Sequence, residues 1–200
     1  MQGYCRETEI LSSLVLNHDI LIKLEEIVKE IENNINYDSA PLWELQSLLI
    51  PSHPHDSMKD IMTPLQCARD EIEICNLNCS GNYVILYCQK YLEGIVRYFL
   101  SIIHPVMRLK YKVTPYGSLI HKLDNLSFVP KELSEGLKEI FKLCQRCGNL
   151  ENTAVSPKDA VFTYICSMLI GTRLLTISDS HIKRSEEKCL NTLYKIDLGS

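Results

Sequence analysis

The chain has 200 residues, a formal net charge of −4, 46% hydrophobic residues and 23% charged residues. That length and balance suit a soluble helical or mixed domain with a core of its own, and they exclude a collagen-like, disordered or disulfide-scaffold chain. A pI near 5.9 removes any global electrostatic case for nucleic acid, so an RNA contact has to use a local basic patch.

Nine cysteines are many, yet MQGYCRETEI at the start carries charges where a signal sequence needs an unbroken apolar run. Reduced, mostly buried thiols and a cytosolic setting are expected. No membrane span and no membrane partner are expected. The longest apolar stretch, 83 to 106, is interrupted by Gln89, Lys90, Glu93, Arg97 and His104, which a bilayer core penalises.

In chain order, Ile10, Leu14, Leu21, Leu24, Val28 and Ile31 recur at helical spacing among charged residues and predict an amphipathic helix within 7–35. Pro41 suits the first turn of a short helix that presents Leu42, Leu45 and Leu49 on one face, with Trp43 beside them. PSHPHDS, 51–57, reads as a turn. Asp56 or Ser57 then caps a helix running to about Ile74, kinked or started late at Pro64. CNLNCSGN, 75–82, is the clearest break, and it sets the boundary between an N-terminal helical extension (1–78) and a second helical domain (79–200), unless the two form one unit.

A long helix is predicted from Tyr83 to Ile103, stopped by Pro105. The basic, β-branched segment 106–116 predicts a connector or a short extended piece. Shorter helices follow at about 117–125 and 130–146. The penultimate helix opens with Ser156 as N-cap and Pro157 in its first turn, and a separate last helix is predicted over 180–195. No period-two alternation occurs, so the predicted class is all-α.

The order CQKYLEGIVRYFL, GSLIHKLDNLSFVPKELSEGLKEIFKLCQRCGN and SPKDAVFTYICSMLIGTRLL, across roughly 83–176, resembles the C-terminal half of HEPN domains. These are small helical modules often found as RNA-cutting toxins or their inert relatives. The resemblance implies a HEPN-like helical bundle, a homodimer with the helix of 83–103 as candidate interface, and a defence or toxin–antitoxin setting. Active members carry an Arg and a His around a Gly-Asn step. Here Arg146 and Asn149 match that step, but Thr153 stands where the His is expected. Threonine has no comparable proton affinity, so a catalytically degenerate module that binds a protein partner or RNA is expected. The plainer alternative makes Gly148-Asn149 an ordinary helix C-cap.

Rival sites remain in the sequence. Arg97 and His104, seven positions apart, share a helix face and could serve a metal-independent ribonuclease, one holding phosphate and the other moving a proton; Arg146 with a base from elsewhere is the other catalytic candidate. Arg108, Lys110 and Lys112, with Tyr111 and Tyr116 nearby, form a candidate phosphate and base-stacking surface. Cys144-x-x-Cys147, with Cys75 and Cys79, has the local look of a zinc knuckle, but the first pair falls on an amphipathic helix, so no metal is assigned. His53 and His55 flank Pro54 in a loop and receive no metal either. No cofactor motif is present. A third reading is an adaptor whose N-terminal helices receive a partner helix.

Overall fold

The computed structural model describes residues 18–33, 44–45, 49, 56–74, 77–148 and 155–197. Its helices are α1 (His18–Asn33), α2 (Asp56–Ile74), α3 (Leu77–Ile103), α4 (Arg108–Val113), α5 (Tyr116–Asp124), α6 (Lys131–Gly148) and α7 (Pro157–Asp197), with a 3-10 turn at Pro105–Met107. No strand occurs among the described residues, so the all-α class holds.

α3 is the hub. It packs on α7 and α2 over most of its length and on α6 along a third side. The reason lies in its composition: Val84, Ile85, Cys88, Tyr91, Leu92, Ile95, Val96, Phe99 and Leu100 are all buried. Apolar residues on more than one face require neighbours on more than one face. At about 1.5–3 kcal/mol for each large side chain withdrawn from water, this hydrophobic seam dominates the fold. The apolar faces of α3 are therefore occupied by the chain's own helices, the simpler alternative to a dimer interface there.

One buried cluster runs from Leu24 and Ile27 through Leu45, Met58 and Leu65 to Val161, Tyr164 and Leu174. α3 begins at Leu77, so most of the break predicted over 75–82 is helical, and the boundary offered at 78/79 falls within its first turn. Gly94 brings α2 close, because a Cβ there would meet Ile61 Cγ2 at 3.0 Å. Pro64 lies inside α2 rather than at its start. Thr172 Oγ1 donates to the Leu49 carbonyl at 3.3 Å, which ties the chain near residue 49 to α7.

Two further expectations are corrected. The segment after Pro105 is not extended: a 3-10 turn leads straight into α4. And the two helices predicted after Ser156 are a single helix, α7, of 41 residues. Its start is as expected, with the Asp159 N–H donating to Ser156 Oγ at 3.1 Å and the Ser156 hydroxyl donating to Asp159 Oδ2 at 2.8 Å. Its middle packs on the core through Leu174 and Ile177, and the Ser178 and Ser180 hydroxyls are satisfied by donating to the carbonyls of Leu175 and Thr176. Part of α7, within Pro157–Ser185, is long and apolar enough to cross a membrane by length and composition alone, but 61% of its most apolar window is buried in the bundle.

Candidate functional site

Of the sequence-predicted catalytic candidates, Arg97 and His104 both neighbour Tyr111, and Arg146 lies elsewhere. Arg97 is half-buried, pairs with Glu93 one turn away, and donates to the backbone carbonyl of Tyr111. That carbonyl belongs to the last turn of α4, where no intrahelical partner exists. The neighbouring Lys110 carbonyl accepts from the Thr114 N–H at 3.1 Å and the Thr114 hydroxyl at 2.8 Å. Arg97 is thus a helix cap with a carboxylate behind it, and its guanidinium is already engaged.

His104 is exposed, its backbone outside the helical region before Pro105 (φ −130°, ψ 74°), and its ring lies 6.5 Å from that of Tyr111.

Arg146 is exposed at the far end of α6. Cys144, two residues before it, donates its thiol to the Ile85 carbonyl at 3.5 Å. Ile85 precedes Arg97 by three turns of α3, about 18 Å along the axis at about 1.5 Å per residue. Arg146 and the Arg97–His104 pair therefore sit toward opposite ends of the bundle. Asn149 and Thr153 lie outside the described residues.

Cys88 and Cys144 are buried, while Cys67, Cys147 and Cys166 are partly exposed. Burial pushes Cys144 up to about 12, with Cys147 adding to the effect, and burial raises Cys88 further still. Zinc takes thiolates, which this environment opposes. Among the described residues no group of three or more metal-ligating side chains occurs. Cys75, His53 and His55 and the side chain of Cys79 lie outside the described residues.

The structure does assemble a groove that the sequence reading missed. It lies between the middle of α7 and the α5–α6 connection, holds about 430 Å³, and is lined by Phe128, Arg173, Thr176, Ile177, His181 and Arg184, with Ser180 and Ser185. Arg173, Ile177 and Arg184 share one face of α7 by helical spacing. Phe128 is set from the opposite side by a turn in which the Leu126 N–H bonds the Leu123 carbonyl and the Val129 N–H bonds the Leu126 carbonyl, each at 3.0 Å.

Its ring neighbours two others: the buried Phe99 at 6.5 Å, tilted by 40°, and His181 at 5.9 Å, tilted by 31°. Phe128 remains 45% exposed, enough to offer a planar surface to a ligand. Arg173 and Arg184 thus place two guanidinium groups in the same groove as the Phe128 and His181 rings. Guanidinium forks bind phosphate, and flat rings stack on bases.

A signal for this groove existed: Arg173 and Arg184 are eleven positions apart, three turns of one helix. The predicted break before residue 180 put them on different helices and hid their shared face. No family model, curated protein or solved structure matches this chain.

Proposed function

We infer that this chain is a non-cleaving helical module that binds single-stranded RNA in the α7 groove, the degenerate HEPN-like role implied by its helix order. The observation that carries the reading is the half-exposed Phe128 ring beside His181 in a groove that also holds Arg173 and Arg184. Aromatic rings with cations nearby suit bases and phosphates together and require no base-specific hydrogen bonds. The absence of cleavage is supported by the engagement of Arg97 as a cap on α4 and by its separation from Arg146. Cys67, Cys88, Cys144 and Cys147 are thiols outside any disulfide, which supports a reducing, cytosolic compartment.

The test is binding of an end-labelled single-stranded RNA, followed by fluorescence anisotropy and by gel in parallel. Salt-sensitive binding, intact RNA, and loss of affinity in Arg173→Ala/Arg184→Ala are expected. Groove variants that bind as tightly as the parent chain would remove the reading's basis.

A further inference from the structure

We propose that the edge formed by the Pro105 turn and α4 docks on an anionic lipid surface as a peripheral, reversible contact. It is carried by different residues from the RNA groove and does not depend on that reading.

Val106 is 98% exposed, Leu109 78% and Val113 81%. A single exposed aliphatic side chain is ordinary, but three within eight residues form a patch that calls for a partner. Tyr111 is buried beneath them and points α4 inward, so Leu109 and Val113, a turn apart, project on the opposite side. By the same spacing Arg108 and Lys112 flank this row on one side and Lys110 on the other. All three cations are exposed. Arg97 fixes the whole edge to α3 through the Tyr111 carbonyl.

Charge complementarity selects the occupant. From Ser101 to Leu123 the chain has no Asp or Glu but carries Arg108, Lys110, Lys112 and Lys122, in a molecule whose net charge is −4. Lys122 joins the same edge, its ammonium 5.9 Å from the Tyr111 ring centre. Phosphodiester backbones satisfy such cations but offer nothing to a row of protruding aliphatic tips, and the one aromatic ring of α4 is buried and cannot stack on a base. An acidic bilayer surface answers both features: aliphatic tips enter the acyl boundary while long basic stems keep their heads among phosphates and carboxylates. Each such cation strengthens attachment by about fivefold. The contact rests on the bilayer and does not span it, so it is compatible with interruption of the apolar stretch by charges.

The experiment is co-sedimentation with vesicles of phosphatidylcholine alone and of equal parts phosphatidylcholine and phosphatidylserine. The chain is expected to pellet with the acidic vesicles only, and less as salt rises. Leu109→Asp/Val113→Asp and, separately, Lys110→Glu/Lys112→Glu are each expected to lower that binding by tenfold or more, with helical circular dichroism retained. In Leu109→Trp the new indole emission is expected to shift to the blue on acidic vesicles and not on neutral ones. Failure to pellet with acidic vesicles, or equal pelleting by parent chain and both double variants, overturns the proposal. So does loss of RNA binding in the α4 variants without loss of vesicle binding. Arg173→Ala/Arg184→Ala is expected to pellet normally, which separates this inference from the groove.

Discussion

The guanidinium of Arg97 donates to the main-chain carbonyl of Tyr111, fourteen positions further on, while Glu93 holds it from behind. A charged group thus caps α4 and joins it to α3. Its removal leaves a last-turn carbonyl without its donor, and charge-assisted bonds of this kind contribute about 1.5–3 kcal/mol.

Arg97→Met, which keeps the aliphatic stem, is accordingly expected to lower global stability by no more than that amount. The larger effect is local: amide exchange in residues 108–113 should accelerate strongly, while exchange in the middle of α3 changes little. Were Arg97 a catalytic group instead, the substitution would leave α4 protected.

Gly171 faces the ring of Tyr91 across the α3–α7 contact, where a Cβ would stand 2.7 Å from Cζ and 2.8 Å from Cε1. Tyr91 is fully buried and its ring cannot withdraw. Gly171→Ala should therefore destabilise the chain by about 1–3 kcal/mol, despite the better helix propensity of alanine, because the helices are forced apart. Urea unfolding measures it. Tyr91→Leu in the same chain should recover part of the loss, a coupling expected only if the two sites touch.

Alkaline pH should unfold this protein. Cys144 has an ordinary value of 9.0 and is pushed up to about 12, chiefly by burial; Cys88, Tyr91, Tyr116 and Tyr164 are all raised by burial as well. A raised group holds its proton better when folded, so its contribution is complete below pH 9 and is lost as pH climbs from there toward 12. Each such group steepens the decline by about 1.4 kcal/mol per pH unit within its window. Denaturant midpoints across pH 8–11 test this, and a flat profile would contradict it. In the same buried setting Cys88 and Cys144 should resist iodoacetamide until the chain unfolds.

Much of the architecture was legible because helical spacing and punctuation agree. Ser156-Pro157 marked the start of α7, and Pro105 marked the end of α3. The errors share a cause, since polar or β-branched residues that favour breaks were overruled by tertiary contacts invisible in sequence, Leu174 and Ile177 packing on the core among them. Ser178 and Ser180 turn their hydroxyls onto carbonyls of their own helix. Val113 ends, and Thr114 follows, a six-residue helix that Arg97 caps from a distance. The groove was illegible for a related reason, because Phe128 reaches it from a connection remote in sequence from Arg173, and no local pattern couples the two.

The central claim, RNA bound in the α7 groove without being cut, is tested most directly by one titration. Labelled single-stranded RNA is mixed with the parent chain and with Arg173→Ala/Arg184→Ala over a range of salt, and the strand length is read at the end. The account predicts intact RNA throughout, binding that weakens with salt, and a salt slope in the double variant shallower by about 1.4 (about 0.7 for each lost phosphate contact). RNA shortened by the parent chain and spared by His104→Ala, or a slope indifferent to both arginines, would contradict it.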